Sequence, residues 1–356
     1  MAAFASQVKS DWSPDPDELV KDAKRVASRA RRHFAAHGLA EIQAFPRNTL
    51  KLLSLSPERY ELILTDSISP LPLHRTLVLL GAIDESGGSF YRDHLRLAVA
   101  RMLVTEVGNL HFGPEVGVGP PKDDVDVLGL WLGQVRKMAE DLRVLGESDE
   151  TSASVFRGDS RVSMESKVLP SSVDAVITSP PYPNEKDYTR TTRLESVILG
   201  LVRSKEELRQ FKQGLIRSNT RGVYVTDDDD KWVSSFPRIQ KIAKDIEERR
   251  IALGKTSGFE RLYARVTKLY FGGMARHLRE LQPLLKPGAK LAYVVGDQAS
   301  YLRVMIRTGE ILGEIAERLG YQVAGIDLFR TRLATATREQ LREEVLLLEW
   351  PAKTRR

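Results

Sequence analysis

Apolar residues recur every three or four positions through much of residues 1–150. Beyond residue 150 they alternate with polar ones in short runs, so the chain reads as a helical beginning followed by strands interleaved with helices. Ser13 to Glu18, with two prolines and three acids, predicts a helix start, and helix formers continue to His37. Ser89 to Arg101 reads as an amphipathic helix with Leu95, Ala98 and Val99 on its core face. Another begins at Lys122 to Asp126 and runs through Trp131 and Met138. The polar loop 146–152 marks the expected domain boundary. After it, Ser154 to Ser160 reads as a short strand ending in Gly158 and Asp159, and Val173 to Thr178 as a buried strand. Leu284 to Asp297 reads as a helix end, a Pro-Gly turn and a strand. Tyr321 to Phe329 and Glu344 to Trp350 add two more strands, with a helix from Gly309 to Leu319 between strands. That alternation predicts an α/β class with a parallel sheet.

One strand ends abruptly. Pro180 and Pro181 have no N–H and fixed φ, so the ladder through Val173 to Thr178 must stop at Ser179. Two prolines hold an extended corner on which the Ser179 hydroxyl and the Pro180 carbonyl can face outward as acceptors, with the Tyr182 ring beside them. Such a corner suits an exocyclic NH2 on a flat ring. The amine's lone pair is delocalised until its hydrogens are drawn into fixed acceptors, which need no reorganisation during reaction. Tyr182 can stack on a base taken out of a duplex, where unstacking costs roughly a few kcal/mol and stacking returns about 1–3 kcal/mol.

The run Thr178 to Tyr182 resembles the motif (Ser/Asn/Asp)-Pro-Pro-(Tyr/Phe/Trp) of the S-adenosylmethionine-dependent DNA amino-methyltransferases, in its serine form most like the cytosine-N4 enzymes, with adenine-N6 also open. Asp187 to Glu195, Ser257 to Phe259, Phe271 to Met274 and the Lys-Pro-Gly-Ala-Lys turn at 286–290 extend the likeness over residues 151–351. The resemblance implies a Rossmann-like methyltransferase sheet lacking its first two strands in this chain, with a helical N-terminal region (1–150) and a helical insert. The catalytic core would span 151–202 and 256–356, and the insert, 203–255, would recognise the target. By the resemblance Ser179, Pro180, Pro181 and Tyr182 hold the amine and the base, while Asp159 and Ser160 contact the cofactor, S-adenosylmethionine. Arg190 lies close enough behind the motif to line the same mouth. Arg217, Asn219, Arg221 and Tyr224 are residue types that read base edges and phosphates of double-stranded DNA.

The cofactor loop Asp-Pro-Phe-x-Gly-x-Gly of that family is absent. Its nearest substitutes, Gly81 to Gly88 and Gly113 to Gly119, read as turns. Met1 to Lys9 resembles the helix that follows the second strand in full-length relatives, so a complementing methyltransferase subunit carrying the Gly-rich motif is the expected partner. Without it the Ser-Pro-Pro-Tyr strand would expose an apolar face and an open edge.

Composition narrows the chemistry. The 356 residues carry a formal charge of +6 with pI near 9.3, which favours a phosphate-bearing partner. No cysteine is present, which removes disulfides, thiolate metal sites and the nucleophile used to methylate a cytosine ring carbon. His33 and His37 lack the glutamate of a His-Glu-x-x-His site, and the acidic run Asp227 to Asp230 reads as a solvated turn, so no metal is expected. No signal peptide or membrane-length apolar run is seen, giving a cytoplasmic expectation. Two other readings stay open, an RNA amino-methyltransferase and a non-catalytic DNA-binding scaffold.

Overall fold

A computed structural model of the chain describes residues 1–36, 52–86, 90–113, 115–146, 152–183, 186–333 and 340–352. His37, Gly87, Gly88 and residues 147–151 of the expected boundary loop lie outside these. The chain divides into two compact units, Met1–Arg157 with Tyr188–Gln210, and Gly158–Asp187 with Phe211–Arg356.

Among the described residues the regular structure of the first unit is helical apart from one short ribbon. It contains α1 (Ala2–Lys9), α2 (Pro16–Ala36), α3 (Pro57–Tyr60), α4 (Pro70–Asp84) and α5 (Arg92–Met102), which runs on into a π-helical turn. The antiparallel pair β1 (Leu110–Phe112) and β2 (Val116–Val118) and then α6 (Val127–Leu145) follow. In α2, Asp17 and Glu18 occupy the first turn, where the helix dipole favours acids, and Leu19, Ala23, Val26, Ala30 and Phe34 form one buried stripe. Asp126 caps α6 by accepting from the Gly129 N–H at 2.9 Å. Trp131 is fully buried with its indole N–H on the Leu95 carbonyl, 3.0 Å away. Gly81, expected in a turn, lies within α4.

The unit also takes α7 (Tyr188–Thr191) and α8 (Arg193–Ile198), which sequence placed with the catalytic core. Leu194, Val197, Ile198 and Leu199 explain the difference, since all four are buried in the helical core. Arg193 fastens the pair by donating to the Thr189 and Leu62 carbonyls at 2.9 and 3.2 Å. Helix α9 (Lys205–Gln213) begins in this unit and its last residues belong to the second.

The second unit is built on a four-stranded sheet of order β3 (Val173–Thr178), β4 (Leu285–Gly296), β6 (Gln340–Glu349), β5 (Gln322–Leu333). Strands β3 and β4 are parallel, and β6 runs antiparallel to both of its neighbours. The α/β class expected from sequence is observed, with a mixed sheet, an arrangement compatible with a methyltransferase fold. Helices α10 (Pro237–Ala252), α11 (Tyr263–Leu281) and α12 (Thr308–Arg318) build the core with it around Tyr270, Phe271, Tyr293 and Tyr301, all essentially inaccessible to solvent. Residues 152–159, expected to include a strand, have no regular secondary structure. No described strand lies beside them to complete a ladder, and Asp159 instead turns back on itself to accept from the Arg161 N–H at 2.9 Å.

Strand β3 is an edge of this sheet among the described residues. The expectation of a buried strand is not met, since Val173, Val176 and Thr178 are half-buried, the two valines packing against the core, and no residue of β3 is fully buried. Ala175 is exposed, and Ile177 is 85% exposed. Parallel strands are normally covered on both faces, and Ile177 departs from that pattern among the described residues.

Glycine at position 272, inside α11, admits a neighbouring segment to the helix backbone. A Cβ there would lie 1.8 Å from the Asp229 carbonyl oxygen and 2.4 Å from its carbon. The intrinsic helix gain of Gly272→Ala, about 1 kcal/mol, is therefore outweighed by a backbone clash, and overpacking costs typically about 1–3 kcal/mol or more. We expect Gly272→Ala to lower the urea midpoint of this unit, and a midpoint that rises would show that the 229–233 turn does not dock there.

Candidate active site

The Ser-Pro-Pro-Tyr corner forms where β3 stops. Ser179 is exposed, and Pro180, Pro181 and Tyr182 are half-buried. The Ser179 hydroxyl donates to the Val294 carbonyl of β4 at 3.3 Å. With its proton on the backbone, the hydroxyl oxygen can only accept, and one of its two lone pairs faces Tyr182. The Tyr182 ring packs on Gly296 at the end of β4, where a Cβ would lie 3.0 Å from Tyr182 Cε2. Burial raises the Tyr182 phenol above its ordinary value and the Glu343 carboxylate adds to this. A hydrogen bond with Ser179 and the nearby Arg332 and Arg330 oppose it. The ring is therefore a neutral, braced surface at any physiological pH.

Behind Gly296 lies a buried polar cluster that sequence reasoning did not single out. Asp297 is inaccessible to solvent and accepts from Arg307 and Arg342, while its Oδ1 has no hydrogen-bond partner. Glu344 is nearly as buried, and burial, helped by Asp297, raises its carboxyl above the usual range. The sequence signal was available as a polar Gly-Asp-Gln step ending an apolar strand.

Asp159 and Ser160 also lie in the second unit, in the turn that precedes β3. Both Asp159 oxygens accept from Arg161, Oδ1 from Nε at 2.9 Å and Oδ2 from Nη2 at 2.7 Å. Burial raises the Asp159 carboxyl, but Arg161 outweighs it and the net shift is downward. Arg161 also donates to Asp229 at 2.5 Å and to the Gln213 carbonyl at 2.8 Å. The Ser160 carbonyl is 3.0 Å from His277 Nδ1, and His277 Nε2 is 2.8 Å from the Tyr293 hydroxyl. Burial lowers the His277 pKa, so the ring is neutral. A carbonyl can only accept, so Nδ1 carries the proton and Nε2 accepts from Tyr293. A residue of β4 thus holds the 158–161 turn through α11.

The expected recognition residues fall into two groups. Arg217 is buried and bidentate on Asp227, with both distances 2.8 Å, and it donates to the Lys212, Gln213 and Leu215 carbonyls. A guanidinium so engaged orders its own loop. Its plane also lies 5.3 Å from the Tyr224 ring centroid, and Arg265 holds the Tyr224 carbonyl at 3.3 Å. Asn219 reaches back to the Lys186 carbonyl at 3.2 Å, and Lys212 pairs with Asp187 at 2.8 Å, which ties this region to the segment after Tyr182. Arg221 is exposed and lies over Phe259 at 5.8 Å. Arg190 belongs to the helical unit, half-buried on α7.

The acidic run is not a solvated turn. The Asp227 and Asp229 side chains are only 7% and 4% exposed, consumed by Arg217 and by Arg161 with Arg276. The correction follows from Gly272 and Gly273, which let this segment approach α11 closely enough to bury two of its four carboxylates. Among the described residues no group of three His, Asp or Glu side chains could hold a metal ion, and no helix is long and apolar enough to cross a membrane.

No family model matches the sequence, and no solved structure matches it. Over 195 residues, 50% of this chain, it is 29% identical to the Type II methyltransferase M.AvaI of Nostoc sp. and to that of Anabaena variabilis. Over 211 residues, 54% of this chain, it is 29% identical to the Type II methyltransferase M.BsoBI of Geobacillus stearothermophilus. The matches cover 38% and 41% of those relatives, so this chain spans well under half of their length. Over about half of its own length the chain is thus similar to Type II methyltransferases.

Proposed function

We propose that this chain is the target-base part of a site-specific DNA amino-methyltransferase, acting on the cytosine N4 amine in preference to the adenine N6 amine. The observation that carries the reading is the corner after β3. Ser179 is exposed, gives its proton to Val294, and stands beside a neutral Tyr182 ring braced on Gly296. Ser179 and the Pro180 carbonyl would take the two amine hydrogens, and Tyr182 would stack on the extruded base. Asn219, Arg221 and Tyr224 remain candidates for reading DNA, as does Arg190, whereas Arg217 serves by ordering their loop.

The residues present do not by themselves build a site for S-adenosylmethionine. Asp159 is engaged by Arg161 on both oxygens, and no glycine turn follows a described strand on the open side of β3. Asp159 and Ser160 would border the cofactor, and a complementing polypeptide would supply the rest beside β3. No reaction step is therefore assigned to this chain beyond holding and polarising the amine.

The test is reconstitution with the product of a neighbouring gene that carries the Gly-rich loop. Labelled methyl groups are expected in duplex DNA, with N4-methylcytosine recovered after digestion. Incorporation into transfer RNA with none into duplex DNA would replace the reading with that of an RNA enzyme.

A further inference from the structure

The antiparallel pair β5–β6 extends past the rest of its sheet. Strand β6 pairs β4 only from Glu343 to Glu349, whereas Thr331, Arg332 and Leu333 pair Arg342, Leu341 and Gln340. Strand β3 runs parallel to β4 and β6 antiparallel to it, so this overhang stands at the end of the sheet where Ser179 follows β3 and Gly296 closes β4. Leu328, Phe329 and Leu333 are 59%, 66% and 64% exposed, and Phe329 falls at the register shift between Leu328 and Arg330. Glu343, its side chain 10% exposed, meets Nε of both Arg330 and Arg332, the latter at 3.3 Å. The Glu343 Cγ borders the same Gly296 position against which the Tyr182 ring packs.

We infer that this overhanging ribbon is a duplex-DNA contact beside the target base, with Arg330 and Arg332 on backbone phosphates and Phe329 against the groove. The inference rests on the DNA amino-methyltransferase reading above and extends it to residues that the motif does not include. A two-stranded ribbon is one of the two elements that the major groove admits. Arginine forks suit phosphate oxygens, and Glu343 engages each fork through Nε, a contact that does not use the paired Nη groups. Phosphate would therefore be held on the Nη groups while each Nε stays on the buried Glu343, so that neither ion pair has to be given up. Continuity with Tyr182 gives the ribbon its purpose, because a base leaves the stack only if the flanking backbone is held.

The experiment is fluorescence anisotropy of this chain, and of the reconstituted complex, on a labelled mixed-sequence duplex over a salt series. Each phosphate contact contributes about 0.9 to the slope of log K against log salt. The double variant Arg330→Gln with Arg332→Gln is expected to weaken binding about tenfold and to reduce the slope by about 2. Arg330→Lys with Arg332→Lys should recover the slope, which a merely structural loss would not. A double Gln variant with unchanged Kd and slope would overturn the inference, as would tighter binding to transfer RNA than to the duplex. Self-association abolished by Leu328→Ser with Leu333→Ser would likewise assign the ribbon to a second copy instead. Methyl transfer separates the two levels. If the complex methylates DNA while the Gln variant binds it normally, the ribbon fails alone. If the Gln variant binds DNA poorly but the wild-type complex transfers no methyl group to it, the functional reading fails and the contact stands.

Discussion

Ser179→Ala in the reconstituted enzyme is expected to lower methyl transfer to duplex DNA by about 10²–10³-fold, the loss typical when one preorganised polar group is removed from a reacting centre. Tyr182→Ala is expected to lower it about 5- to 150-fold, the rate equivalent of the roughly 1–3 kcal/mol supplied by one base stack. Neither variant should change Kd for duplex DNA more than a few-fold, because affinity comes chiefly from phosphate contacts elsewhere. Folding should survive both changes, since Ser179 is exposed, with a 3.3 Å bond to the Val294 carbonyl and one to Tyr182, and Tyr182 is only half-buried. Steady-state assays with tritiated methyl donor, paired with anisotropy on the same duplex, read the two quantities separately. Transfer rates equal to wild type in both variants would remove the corner from the mechanism. A parallel collapse of DNA affinity would make it a docking surface instead. Gly296→Ala offers a graded control, because its methyl group would press on the Tyr182 ring from 3.0 Å without removing the stack.

The parts of this arrangement legible in sequence are those fixed by local chemistry. Two consecutive prolines, Pro180 and Pro181, remove two ladder donors in a row, so the stop at Ser179 could be read directly, whereas the single Pro287 lies within β4. The apolar alternation through Leu291, Tyr293 and Val295 likewise marked β4, and all three are buried. What could not be read depends on contacts between distant residues. Arg217 has the same side chain whether it meets a phosphate or a buried Asp227, and only the fold distinguishes the two. The burial of Asp229 was signalled indirectly, by two glycines in the middle of a helix that would be more stable with alanine there. Such a cost is tolerated where another backbone must come close. The segment 188–198 misled for a related reason. It follows the motif in sequence, but Leu194, Val197 and Ile198 find their apolar neighbours among the helices of the first unit.

Ile177→Lys is expected to leave this chain's own stability within about 0.5 kcal/mol, as exposed substitutions do, and yet to abolish its assembly with a complementing polypeptide. Strand β3 is short and irregular between Val173 and Ala175, yet beyond that irregularity it leaves Ile177 exposed on a sheet edge among the described residues. It has no lysine, proline or bulky charge on the open side beyond Asp174, which is held by Lys286 at 2.8 Å. An added parallel strand would satisfy the free backbone groups and cover Ile177, and full burial of such a side chain contributes roughly 1.5–3 kcal/mol. A lysine there forfeits that gain and requires a cation to be taken out of water, so affinity should fall by about 100-fold or more, which is near 2.7 kcal/mol. The wild-type complex should melt above the chain alone, by an amount that grows with partner concentration and reaches about 2.7 kcal/mol at a hundred times Kd. The variant should show no such gain. Melting curves over a partner titration separate the outcomes. A variant that loses several kcal/mol by itself would mean that residues of this chain already cover β3, and a variant that assembles normally would place the partner elsewhere.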